Sequence, residues 1–290
     1  MIEEGVYYDM TDEEYHKQYS REEHYYSSSQ LKDILESPEI FKDKYILGNI
    51  PEVKPATQDA YDVGTVVHTA ILEPDKLKGS YVKWTSGNRT GKPFEDFKKK
   101  NKGKLILNKS MLKKANNAIK SVRGSDLCME YFEEGQAEVS FFVIFMGRRF
   151  KVRTDWLGSA YIDDLKTMSG NVKDKNIVNA QIKRFKYDMS AAFYVDMVNY
   201  CIDYFELDMP YIKDFYWTFA SKDVPNCAQM YNAKKWLSVG RAKYKKAIGL
   251  IDKYEKLDWE FPEEIIDVGP GAFEQDEWIN KESNDDSDLL

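Results

Sequence analysis

Cysteine and histidine are scarce in this 290-residue sequence, with three of each. Cys128, Cys201 and Cys227 lie far apart, form no CxxC pair and cannot all be paired. That excludes a disulfide framework and fits a reducing cytoplasm. It also excludes a four-cysteine iron–sulfur site. His16, His24 and His68 are too scattered for a zinc site. No run of 18 apolar residues occurs, so neither a membrane span nor a membrane partner is expected. The opening MIEEGVYYDMTDEEY lacks the basic start and apolar stretch of a secretory signal. No internal repeat is evident.

The chain does have enough apolar residues, 42% with 14% aromatic, to bury a substantial core. Its net charge of −7 argues against a nucleic-acid partner only if the charge is spread evenly, and it is not. Residues 1–25 carry eight acids and two bases, and residues 271–290 carry seven acids and one lysine. The body between them is therefore mildly basic, and it can carry a positive groove. A solvated surface with no partner accounts for the same charge. We expect an acidic N-terminal segment (1–24), one domain over 25–260 and an acidic, disordered tail over 271–290.

The first half of the domain, 25–135, reads as helical. Thr11 with Glu14, and Ser27 with Gln30, have capping-box spacing. DAYDVGTVVHTAILEP (59–74) reads as a buried helix, and a further helix is expected from about Ser110 to Val122. The period then changes. AEVSFFVIFMGRRFKVRTDWLGSAYIDDLKT (137–167) is rich in β-branched and aromatic residues, and Met146-Gly147 and Gly158-Ser159 mark turns. This predicts a three-stranded antiparallel meander. Helices at 173–184 and 187–205, strands at 211–220 and 226–231, and a helix at 233–256 follow.

Alternation along the third strand puts Asp164 and Lys166 on one face and Asp163 with Leu165 on the other. The turn at 158–159 folds the preceding strand back, so Asp155 can approach Asp164, and Glu138 can join the same end of the sheet. Converging carboxylates repel unless a cation lies between them, and oxygen ligands suit Mg²⁺ or Mn²⁺. A lysine beside them can orient or deprotonate a water and stabilise charge on a phosphate. Together these are the parts of a phosphodiester hydrolysis site. A D-x-K pair alone is also what a surface ion pair looks like. Basic residues near the site are candidate DNA contacts: Lys173, Lys175, Lys183, Arg184 and Lys186 after it, and Arg148, Arg149, Lys151 and Arg153 on the strand leading to Asp155. Arg89 and the lysines of 98–104 are candidates for a channel.

GTVVHTAILEPDKL (64–77), AEVSFF (137–142), RTDW (153–156), IDDLKT (162–167) and KYDMSAAFY (186–194) occur in order. With YYSSSQLKDILESPEIFK (25–42), they make the chain resemble the RecE-type (exonuclease VIII) branch of the PD-(D/E)XK nucleases, over about Tyr25 to Ile248. The resemblance implies an α/β (α+β) fold: a restriction-endonuclease-like core with a mixed central sheet flanked by helices, behind a helical N-terminal region. It matches Asp155, Asp164 and Lys166 to the catalytic motif and makes His68 an added metal ligand beside Asp155 and Asp164. Glu138 falls near a second metal ion or the attacking water. Tyr194 matches the tyrosine of a Gln-x-x-x-Tyr helix motif, whose glutamine is Ser190 here, too short for the same contact with DNA or a ligand. The implied activity is a Mg²⁺- or Mn²⁺-dependent exonuclease with two ions. It would resect the 5′-ended strand of linear duplex DNA for a single-strand annealing protein, and would assemble as a homo-oligomeric ring. The alternatives are a non-catalytic DNA- or protein-binding module, which Ser190 favours, and an endonuclease of restriction or junction-resolving type.

Overall fold

A computed structural model describes residues 2–17, 23–261, 263 and 269; the acidic tail over 271–290 lies outside them. A short edge strand, β1 (Gly5–Tyr7), opens the chain. Helices α1 (Asp12–His16), α2 (Ser28–Glu36), α3 (Pro38–Phe41) and α4 (Pro55–Leu72) follow. Both expected capping boxes form, at Thr11/Glu14 and Ser27/Gln30. A small unit comes next, made of β2 (Tyr81–Lys83), α5 (Lys92–Lys100) and β3 (Leu105–Leu107). Helices α6 (Lys109–Arg123) and α7 (Asp126–Glu130) lead into the core. The core meander is β4 (Gln136–Phe145), β5 (Arg148–Leu157) and β6 (Tyr161–Met168). Then come α8 (Lys175–Arg184), α9 (Tyr187–Tyr204), β7 (Asp214–Ser221), β8 (Ala228–Asn232) and α10 (Leu237–Lys256).

The six-stranded sheet has the order β1-β4-β5-β6-β7-β8. Only β6 and β7 are parallel; the other neighbours are antiparallel. A parallel pair needs a crossover, and α8 with α9 supplies it. The fold is thus the expected mixed sheet flanked by helices.

Each face of the sheet buries its own core. Phe150, Val152, Ile162, Phe215, Trp217 and Phe219 pack with α2, α9 and α10. On the other face, Trp156, Leu165 and Ala220 pack with α4 and α6. Helix α4 presents Val63, Val66, Val67, Ala70 and Ile71 at helical spacing, and all five are buried. Helices α9 and α10 meet so closely at Gly240 that a Cβ there would lie 2.0 Å from the Asp188 carbonyl oxygen.

Several boundaries differ from the sequence reading. The strand expected from 211 begins at Asp214, because the Asn199 side chain brackets Ile212, accepting from its N–H (2.6 Å) and donating to its carbonyl (3.0 Å). The last helix starts at Leu237 rather than 233, after a turn closed by Trp236 N–H to Ala233 O. The N-terminal segment, set apart by its charge, joins the main sheet: β1 pairs with β4 from Gly5↔Phe142 to Tyr7↔Ser140. No helix among the described residues is long and apolar enough to cross a membrane.

Candidate active site

The site forms where the meander comes apart. Strands β4 and β5 pair from Gln136↔Leu157 to Phe145↔Arg148 except at one position: the register passes over Glu138 and Asp155, which lie opposite each other between Ala137↔Trp156 and Val139↔Thr154. Glu138 has φ +54°, a left-handed conformation uncommon outside glycine that costs on the order of 1 kcal/mol or more. Strands β5 and β6 share only two paired positions, Trp156↔Asp163 and Leu157↔Ile162. Beyond them the strands part, and the Asp155 side chain replaces the missing backbone acceptor: its Oδ2 accepts from the Leu165 N–H at 3.0 Å.

That oxygen is a meeting point. His68 Nδ1, from the last turns of α4, lies 3.5 Å away and Lys166 Nζ lies 3.8 Å away. Lys166 donates to Asp164 Oδ1 at 2.5 Å. One ligand atom each from His68, Glu138 and Asp155 lie within 4.8 Å of one another. One imidazole nitrogen and two carboxylate oxygens suit a hard divalent cation. Asp164 is outside this trio, its carboxylate turned to Lys166. The alternation expected from sequence holds: Asp163 faces the opposite core, fully buried, with Oδ2 accepting from Thr218 Oγ1 at 2.8 Å.

Of these, His68, Glu138 and Lys166 line a cleft of about 1260 Å³ between α4 and the α8–α9 junction. Exposed Tyr61 stands on one wall and exposed Phe185 on the other, with Arg184, Gln181 and Lys222 also on the lining.

The family model of a PDDEXK-like domain of unknown function (DUF3799) matches residues 27–262. The chain belongs to this family. Its fold is also that of a crystal structure from Eubacterium rectale described as a putative exonuclease, with a TM-score of 0.60 and 18% identity over 92% of this chain and 97% of that one. No curated protein sequence matches the chain. The family places this chain in the PD-(D/E)XK superfamily.

The electrostatics of this PDDEXK-like site follow from burying acids together. Burial, then Asp155, pushes Glu138 up to about 8. Burial also raises Asp164, with Asp155 adding to it against the pull of Lys166. Burial opposes the charge on Lys166, but Asp164 and Asp155 outweigh it and hold the ammonium above its ordinary value. His68 is lowered by burial and by Lys166, against Asp155, which keeps a neutral imidazole available as a ligand at pH 7.

The structure separates the basic candidates. Arg184 lines the cleft, and Lys183 is exposed beside it. Lys173 and Lys175 are exposed, while Lys186 binds Glu36 at 3.0 Å. Arg153 lines the cleft but is only 8% exposed. Its guanidinium is held by Ser140 Oγ and Asp12 (both 2.7 Å) and lies 3.9 Å from Glu138. It braces the wall of the cleft, with its guanidinium committed to protein partners. Lys151 donates to the Tyr15 carbonyl, Arg148 is clamped by Asp252 and Glu255, and Arg89 pairs with Asp59; these too are committed within the protein. Tyr194 and Ser190 sit behind the cleft rather than on its lining. Tyr194 Oη accepts from Ser28 Oγ at 3.4 Å, and burial pushes this phenol up to about 12. Ser190 Oγ is buried with no partner among the described residues.

Two residues escaped the sequence reading. Lys32 Nζ and Lys166 Nζ both lie 5.5 Å from the centre of the Tyr187 ring. Burial, then Lys166, brings Lys32 down to about 8. Lys32 lies one helical turn after Ser28 and Tyr187 opens α9; both fall inside motifs whose other residues drew attention first.

Proposed function

We propose that this PDDEXK-like domain is a metal-dependent DNA exonuclease of RecE type, resecting the 5′-ended strand of linear duplex DNA and leaving a 3′ single strand. The observation that carries this reading is the His68–Glu138–Asp155 trio beside the Lys166–Asp164 pair, with His68, Glu138 and Lys166 on the cleft lining. His68, Asp155 and Glu138 would hold Mg²⁺ or Mn²⁺, with Asp164 available to a second ion. When bound, such an ion polarises the scissile phosphate and acidifies a water.

The chain's own groups do the rest. Lys166, kept protonated by Asp164 and Asp155, is an electrostatic group: it orients the attacking oxygen and offsets negative charge developing on the phosphate. Glu138, mostly protonated at pH 7 in the ion-free chain, would give up that proton on taking up the ion and so serves as a ligand. Lys32 adds a second cation beside Lys166 for the phosphate. Tyr61 and Phe185 offer rings on opposite walls on which unpaired terminal bases can stack.

The test is digestion of end-labelled linear duplex and of covalently closed circles, by the native protein and Lys166→Ala, with Mg²⁺ or Mn²⁺. We expect loss of the 5′-labelled strand, intact circles and an inactive variant. Cleaved circles would indicate an endonuclease of restriction or resolving type. No activity in either protein with either metal would leave the non-catalytic binding module, which Ser190 in place of the motif's glutamine favours. The RecE-type reading also carries a homo-oligomeric ring and a single-strand annealing partner, to be tested by light scattering and by pull-down with the annealing protein.

A further inference from the structure

Between Lys98 and Gly124 the chain carries nine lysines, one arginine and no acid. All ten basic residues are exposed. Among the described residues, none of the ten makes an ion pair with a carboxylate. In α6 the arrangement is directional. At 100° per residue, Lys109, Lys113, Lys120 and Arg123 fall within an arc of about 80° along roughly 21 Å of helix. The opposite arc, with Met111, Ala115, Ala118 and Val122, is buried against α4.

This stripe connects to the site already described. Lys114 lies off the stripe, on the flank of α6. It faces Lys222, which lines the cleft at the end of β7 beside Met168 of β6. Asn117 of α6 holds that segment by donating to the Lys222 carbonyl at 3.0 Å. Burial and the charge of Lys114 both depress the Lys222 ammonium, so two like charges are held together with only Asp223 as an opposing neighbour. Arg123 donates to the Ala70 carbonyl of α4 at 2.9 Å and keeps its charge uncompensated; such a run of cations without carboxylate partners leading out of a cleft is complementary to a polyanion.

Composition decides which polyanion. No aromatic residue occurs between Lys98 and Gly124. A track for single strands combines charge with rings on which bases stack; this one has charge alone. Along 21 Å a duplex presents about twelve phosphates, at about one per 1.7 Å of axis. We propose that the outer face of α6, continued by the Lys98–Lys104 segment and joined to the cleft through Lys114 and Lys222, binds the backbone of double-stranded DNA, without regard to sequence, ahead of the site of cleavage. This rests on the reading of the cleft as a DNA-processing site.

The test is binding, which needs no turnover. A fluorescent 30-base-pair duplex and a single strand of the same length are titrated by anisotropy with the full chain, in EDTA and again with Ca²⁺, over 50–300 mM salt. The native protein is compared with the triple variants Lys109→Ala/Lys113→Ala/Lys120→Ala and Lys109→Arg/Lys113→Arg/Lys120→Arg, after thermal melts establish equal folding. Three lost phosphate contacts should flatten the slope of log K against log salt by about 2.7 and weaken duplex binding at least tenfold at about 0.1 M salt. The arginine variant should bind as the native protein does. Equal slopes for the native and alanine proteins overturn the assignment of this face alone. A larger loss for the single strand than for the duplex overturns the duplex assignment. No binding of either DNA by the native protein overturns the DNA reading itself.

Discussion

Asp163 and Asp164 are adjacent, both buried, and opposite in role, so replacing each by asparagine separates site from scaffold. Burial first, with Asp164 and Asp155 adding to it, pushes Asp163 up to about 7 from an ordinary 3.8; the Thr218 hydrogen bond only partly opposes this. Its Oδ1 has no partner among the described residues. A group raised on folding gives full stability below its unfolded value and loses it as pH climbs through the folded one. At 1.36 kcal/mol per unit, a rise of about 3 units makes ionised Asp163 cost roughly 4 kcal/mol above pH 7. Relaxation around the unpaired oxygen lowers that figure, and we expect roughly 2–4 kcal/mol. Asp163→Asn has no such charge and keeps an acceptor for Thr218. The two proteins should therefore be about equally stable near pH 4. The variant should gain steadily to pH 7 and then hold a lead of roughly 5–15 °C in melting temperature. Melts in EDTA across pH 4–8 measure this; the acids common to both proteins cancel to first order. Asp163→Asn should also keep nuclease activity, whereas Asp164→Asn, which loses the charge facing Lys166, should not. A stability difference that does not change between pH 4 and 7, or an inactive Asp163→Asn of native stability, would refute the assignment of faces.

Other outcomes follow from the same geometry. Lys166→Ala should lower the cleavage rate by about two to three orders of magnitude in single-turnover assays, with Lys166→Arg restoring little, because the Asp164 contact is made to a compact ammonium. Glu138, raised to about 8, is about nine-tenths protonated at pH 7, so loading Mg²⁺ or Mn²⁺ should release close to one proton there and almost none at pH 9. Calorimetry in buffers of different ionisation heat counts that proton, and a count of zero at pH 7 would remove Glu138 from the ligand set. Gly240→Ala forces a methyl against the Asp188 carbonyl and the Ala192 Cβ; it should cost roughly 1–3 kcal/mol and lower the melting temperature by roughly 3–10 °C with the metal-binding stoichiometry unchanged.

What could be read from the sequence was whatever repeats at a fixed period. The meander from β4 to β6 showed itself by alternation, and the same alternation separated Asp164 from Asp163. Helix α4 showed itself by its valines. Strand β1 was hidden because three residues cannot display a period, and its partner lies about 135 positions away. The same brevity hid β2 and β3. The basic residues on β5 misled for a different reason. Arg148 and Arg153 look free in the sequence, but their partners come from α10 and from the segment before Tyr25. An ion pair between distant segments leaves no local trace. Lys32 escaped because helix α2 was judged by its apolar positions, and its approach to Lys166 exists only once α2 packs against α9.

The arrangement of the site argues for a ligand on energetic grounds as well as by its donor set. Glu138 sits in a left-handed backbone conformation, the β5–β6 ladder stops after two pairs, and the carboxyls of Glu138 and Asp164 are raised by burial. Each departure costs stability in the chain alone, and the side chains of His68, Glu138 and Asp155 all stay partly exposed. The costs also share a direction. The turned backbone of Glu138 and the parted strands bring carboxylate oxygens toward His68, where mutual repulsion is greatest and a divalent cation would relieve most of it. A surface ion pair needs none of this: Lys166 and Asp164 could pair on an unbroken ladder. The break in the ladder at Asp155 is therefore the feature that distinguishes a built site from an incidental D-x-K.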